Sequence, residues 1–85
     1  MKTIHSANNK MLLEWLTTKR LLLGKTQQQL SEALGKPQSF VSKYENGERR
    51  LDLIETIELC KALNADPHEL LNVLLRKNNE NQGRN

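Results

Sequence analysis

Cysteine is almost absent from this chain. A lone Cys60 can form no intramolecular disulfide, which fits a reducing cytoplasm. Histidine is equally scarce: His5 and His68 lie far apart, and with one thiol between them they assemble no metal site. No apolar run approaches the roughly 20 residues that span a bilayer. The opening MKTIHSANNK has no apolar stretch of the kind a secretory signal needs, so none is expected. There is no glycine-rich phosphate loop and no nucleophile–base pair. The carboxylates Glu55, Glu58 and Glu69 fall at cap and surface positions. Nothing here supports catalysis, and neither a cofactor nor a small-molecule ligand is expected.

What is present is helix-forming sequence and an uneven spread of charge. Eighty-five residues make one small domain. Such a chain buries only about 60–65% of its unfolded surface, so a helical bundle, a dimer, or both are favoured. The net charge of +3 is modest, but it is unequally placed. Residues 1–25 set Lys2, Lys10, Lys19, Arg20 and Lys25 against Glu14. Residues 36–50 set Lys36, Lys43, Arg49 and Arg50 against Glu45 and Glu48. Residues 51–69 are acidic, with Asp52, Glu55, Glu58, Asp66 and Glu69 against Lys61. A one-sided basic surface suits a polyanionic partner, although an ordinary solvated mixture of charges explains the same numbers.

The only periodicity is helical; no alternating strand pattern and no repeat can be found. Five segments follow, all α. The first runs from about residue 9 to 23, with Met11, Leu12, Trp15, Leu16 and Leu23 on one stripe and Gly24 as its stop. The second starts at the capping box Thr26-x-x-Gln29 and ends at Gly35. The third starts near Pro37 and runs to Glu45, before Asn46-Gly47. The fourth is capped by the box Asp52-x-x-Glu55 and ends near Leu63, with Asn64 in the left-handed cap position. The fifth is capped by Asp66, with Pro67 in its first turn, and runs to about Arg76. Residues 1–8 are expected to be flexible, residues 9–76 to form the domain, and the polar tail 77–85 to be disordered. Only Gly35, Lys36 and Pro37 separate the second and third segments, and a glycine-containing turn that short between two short helices is the helix-turn-helix arrangement.

On a helical wheel the third segment divides cleanly. Gln38, Ser39, Ser42 and Lys43 share an arc of about 140°, and Phe40, Val41 and Tyr44 occupy the opposite side. The apolar side can pack inward. Gln on the polar side has both a donor and an acceptor and can read adenine edges. Ser bonds a base or a phosphate, and Lys reaches guanine or phosphate oxygens. No acid on that arc repels DNA. A plain solvated face is the competing reading of the wheel.

RLLLGKTQQQLSEALGKPQSFVSKYENG, residues 20–47, resembles the helix-turn-helix of the XRE-type regulators, the phage repressor and Cro group. The resemblance rests on Arg20, Gly24, Thr26, Gln27, Leu30, Leu34 and Gly35, then on Q-S-x-V-S-K-x-E-x-G from Gln38 to Gly47, and extends over about residues 11–74. It implies an all-α, five-helix lambda-repressor-like DNA-binding domain and a cytoplasmic transcription regulator. It further implies base contacts from Gln38, Ser39, Ser42 and Lys43. Phosphate contacts would come from Gln27, which would also brace Gln38, and from Asn46, Arg49 and Arg50, with Lys36 as an extra one. Arg20 and Glu45 would form an internal ion pair. The sequence departs from the family at Lys25, where an apolar residue is common, at Ser31, where a small Ala is usual, and at Lys36-Pro37 in the turn.

Trp15 lies on the apolar stripe and is expected in the core. Cys60 is expected to be an inert core thiol. In the fifth segment Leu70, Leu71, Val73, Leu74 and Leu75 spread around more than one face, more than one small core can bury. The family makes a two-fold dimer in this region. Leu70, Leu71, Val73 and Leu74 are therefore the expected interface of a homodimer on a palindromic operator. The alternative is a protein-interaction module, such as an antitoxin whose main partner is a toxin protein, with DNA binding secondary.

Overall fold

The computed structural model describes residues 6–83, with side chains through Arg76. They form α1 (Ala7–Leu22), α2 (Gln27–Ala33), α3 (Ser39–Glu45), α4 (Leu53–Ala62) and α5 (Pro67–Gly83). No strand occurs among the described residues.

Short side chains start α1, α2 and α4. Ser6 Oγ accepts from the Asn9 N–H at 3.1 Å and opens α1 two residues earlier than expected. Both sequence capping boxes are formed. Thr26 Oγ1 accepts from the Gln29 N–H while the Gln29 side chain accepts from the Thr26 N–H. Asp52 and Glu55 do the same for α4. Each box satisfies two of the N–H groups that a helix start leaves unpaired.

The ends of α1 to α4 are made alike. Gly24, Gly35, Gly47 and Asn64 adopt left-handed φ angles of 75°, 69°, 78° and 59°. At each, two reversed backbone bonds close the last turn. Around Gly35, for example, the Gly35 N–H donates to Glu32 O and the Lys36 N–H donates to Ser31 O, both at 3.0 Å. This is the Schellman geometry, which suits a residue with no penalty at positive φ. A Cβ at Gly35 would meet nothing within 4 Å, so the requirement there is one of backbone angle and not of space.

α2 packs on α3, and α1 packs on both α3 and α5. The core is Leu13, Leu16, Leu30, Phe40, Val41, Tyr44, Leu59, Cys60, Leu63 and Leu70. Burying a side chain of that size contributes about 1.5–3 kcal/mol. Phe40 and Tyr44 meet edge to face, with ring centroids 5.5 Å apart. Trp15 packs against the rim of the core, and the Lys19 ammonium lies 5.1 Å from its ring centroid. Cys60 is buried, and that burial pushes its thiol pKa up.

Three expectations need correction. Leu23 falls in the turn after α1 and is exposed, whereas Leu13 takes its place in the core. α3 begins at Ser39 and not near Pro37, because the first bond past the turn, Phe40 N–H to Pro37 O at 2.9 Å, spans three residues and leaves Gln38 at the cap. α5 runs on to Gly83 and does not end near Arg76. Asn78, Asn79, Asn81 and Gly83 are poor helix formers, so the extension owes more to the fact that lengthening an existing helix requires no new nucleus. Residues 1–5 and 84–85, also read as flexible or disordered, lie outside the described residues.

Candidate nucleic-acid interface

α3 turns Phe40, Val41 and Tyr44 into the core. Gln38, Ser39 and Lys43 are thereby left exposed and Ser42 half-buried. A cleft opens between the start of α2 and this outward face. It is lined by Arg20, Thr26, Gln27, Gln28, Gln38, Ser39 and Ser42. Four of the sequence-derived site residues, Gln27, Gln38, Ser39 and Ser42, thus share one concave surface. Lys43 and Asn46 stand apart from it. Asn46 lines a neighbouring groove with Lys10, Glu14, Thr17 and Thr18. Gln28 belongs to the cleft and was missed. The signal was its place beside Gln27, one residue further from the Thr26 cap, in the first turn of a helix aimed at the site. The Ser42 hydroxyl donates to Ser39 O at 3.1 Å, which leaves its oxygen able to accept.

Beneath the cleft, Arg20 and Glu45 meet. Arg20 Nε donates to Glu45 Oε2 at 2.8 Å and its Nη2 to Oε1 at 3.1 Å, with side chains only 10% and 8% exposed. Arg20 Nη1 also donates to Lys25 O at 2.8 Å, which ties the α1–α2 turn to the same centre. The hydrogen bond to Glu45 holds the Arg20 pKa above its already high ordinary value. Gln27 Nε2 donates to Glu45 Oε1 at 2.8 Å. The amide therefore braces Glu45 and not Gln38, because Glu45 offers the charged acceptor within its reach. α1, α2 and α3 converge on one carboxylate.

The loop after α3 is less free than its charge suggests. Arg49 donates through Nη1 and Nη2 to the two Glu55 oxygens at 3.0 and 2.9 Å, and its guanidinium lies 4.9 Å from the Phe40 ring centroid. That hydrogen-bonded pairing holds the Glu55 carboxyl below its usual range. The Lys36 ammonium sits 5.5 Å from the same ring. Two of the cations read as phosphate contacts thus also clamp Phe40, and Arg49 links α3 to α4. Arg50 is exposed on the same loop.

The residues read as a dimer interface divide. Leu70 is 3% exposed and belongs to the core, so it is withdrawn from that set. Leu74 packs against the core, and Val73 lines a shallow groove with Met11 and Trp15. Leu71 and, beyond the original set, Leu75 remain exposed. The wheel could not separate these residues, because burial depends on which face α1 covers.

A five-residue turn, Leu34 to Gln38, between two short helices, the second turning a polar face outward beside a polar cleft, defines a helix-turn-helix DNA-binding domain. A family model described as helix-turn-helix matches residues 16–70. Among solved structures, an XRE-family like protein from Pseudomonas syringae pv. tomato str. DC3000 is 49% identical, with a TM-score of 0.82, over 89% of this chain and 93% of that one. No curated protein matches the chain. The chain belongs to the XRE-type helix-turn-helix family, and its domain is that of a DNA-binding transcription regulator. Among the described residues no helix is long and apolar enough to cross a membrane, and no group of His, Cys, Asp and Glu could hold a metal ion.

Proposed function

We propose that this protein is a sequence-specific regulator that binds a palindromic operator as a homodimer in the cytoplasm. α3 enters the major groove. Gln38, Ser39, Ser42 and Lys43 meet base edges, while Gln27, Lys36, Asn46, Arg49 and Arg50 meet phosphates. The cleft that gathers Gln27, Gln28, Gln38, Ser39 and Ser42 beside α3 carries this reading. Its polar groups are uncharged apart from Arg20, which Glu45 neutralises, so they suit hydrogen bonding to bases next to a phosphate chain. The dimer would use Leu71 and Leu75, with Val73 and Leu74 beneath, and place the two α3 helices about 34 Å apart, one turn of DNA. Occupancy would then follow protein concentration through the dimer equilibrium.

The test is a mobility-shift titration of the full chain against DNA from upstream of its own coding sequence and against unrelated DNA, at two salt concentrations. Selective, cooperative binding is expected. Equal, weak binding to both that collapses with salt would reduce the interaction to general charge attraction. The exposed Leu21, Leu22, Leu53 and Ile54 favour a second reading, a protein-binding module of the antitoxin kind. A stoichiometric protein partner on purification from the native host, with no operator found, would establish it instead.

A further inference from the structure

α3 has no side-chain cap of its own. Gln38 occupies the cap position in a right-handed helical conformation and makes no capping hydrogen bond. The first-turn N–H groups must nevertheless be satisfied where they are buried. The Phe40 N–H reaches Pro37 O at 2.9 Å. The Val41 N–H, in a residue with no exposure, reaches Ser31 Oγ at 3.2 Å, and Ser31 lies on α2. The same hydroxyl donates to Gln38 O at 3.3 Å.

Ser31 is itself fully buried. Its carbonyl accepts from the Lys36 N–H and closes the end of α2. One residue thus ends the first helix of the motif with its backbone and starts the second with its side chain. The bond to Gln38 O fixes the peptide from which the Gln38 side chain springs.

We infer that Ser31 is a positioning residue for base recognition: it caps α3 from α2, and so leaves the Gln38 and Ser39 side chains for DNA. The inference rests on α3 being the recognition helix. A conventional Ser, Thr or Asp cap at position 38 would turn its side chain back onto the helix start. Supplying the cap from the neighbouring helix removes that conflict and locks the angle between the two helices.

The test uses four full-length proteins: wild type, Ser31→Ala, Gln38→Ala and Thr56→Ala. Thr56→Ala is the matched control, because it also removes a buried hydroxyl bond, Thr56 Oγ1 to Asp52 O at 2.8 Å, but in α4. DNA is selected from a random-sequence duplex pool with wild-type protein, and discrimination is measured on single-base variants of the selected site. In Ser31→Ala, discrimination at the base pair read by Gln38 should fall about fivefold or more, with affinity for unrelated DNA unchanged. Hydrogen exchange should show the Val41 amide losing protection beyond the loss at Tyr44. Thr56→Ala should show neither effect.

Wild-type discrimination in Ser31→Ala, while Gln38→Ala shifts the preference, would overturn the inference and leave the recognition helix in place. An equal loss in Thr56→Ala would reduce the effect to general softening and also overturn it. If Gln38→Ala itself leaves base preference unchanged, Gln38 reads no base and the inference falls with that assignment.

Discussion

Arg20→Met is the most informative single perturbation of this fold. It removes two hydrogen bonds to the Glu45 carboxylate and one to Lys25 O, and leaves Glu45, 8% exposed, with the Gln27 amide alone. Bonds to a charged group contribute about 1.5–3 kcal/mol each, and breaking one side of a buried ion pair costs about 3–5 kcal/mol, so the two routes to the magnitude agree. A domain of this size holds roughly 4–13 kcal/mol in all. The variant should therefore lose about a quarter or more of its stability and melt at least about 12 °C lower. Urea unfolding followed by far-ultraviolet circular dichroism gives the free energy directly. Arg20→Met/Glu45→Leu should recover much of the loss, because no charge is then stranded. A loss below about 1 kcal/mol, the range of exposed pairs, would refute the reasoning. So would a double variant whose losses simply add.

Three further outcomes are expected. Tyr44 is fully buried, its hydroxyl has no hydrogen-bond partner among the described residues, and burial raises its pKa; Tyr44→Phe should therefore be neutral or stabilising by up to about 1–3 kcal/mol. A clear fall in melting temperature would show that the hydroxyl is satisfied. The Arg49 pairing holds the Glu55 pKa below 4.5, so its stabilisation is present above that pH and is lost as pH falls through the lower folded value. Arg49→Ala should flatten this part of an acid titration of stability, and an unchanged profile would deny the pairing a role in solution. Gln38→Ala should cost about 1–3 kcal/mol at the operator and relax one base preference, read by competition binding.

Legibility followed the range of the interactions. The stops at Gly24, Gly35, Gly47 and Asn64 and the boxes at Thr26 and Asp52 involve residues within five positions of one another, and sequence spacing alone locates them. Gln27 bonding to Glu45, Arg49 to Glu55 and Val41 to Ser31 depend on how separate helices come together, and composition carries no trace of that choice. Ser31 was visible only as a polar residue where a small apolar one is usual. Arg49 looked free because its charge could be read and its partner could not. The pairing of Arg20 with Glu45 came from family resemblance, since residues 25 positions apart share no local geometry. Leu70 was misplaced because five apolar residues on one helix do not reveal which of them α1 and the core cover.

The contacts that seat α3 come from its inner face and its flanks: Ser31 on its Val41 amide, Arg20 and Gln27 on Glu45, and Arg49 and Lys36 against Phe40. Its outward positions carry little of that burden. Exposed substitutions away from such features usually change stability by less than about 0.5 kcal/mol. Gln38, Ser39 and Lys43 can therefore be exchanged over evolutionary time, or by a designer, while the frame beneath them stays put. On the proposed reading of α3, divergence of target between copies of such a gene would demand only a few surface changes and no refolding of the scaffold.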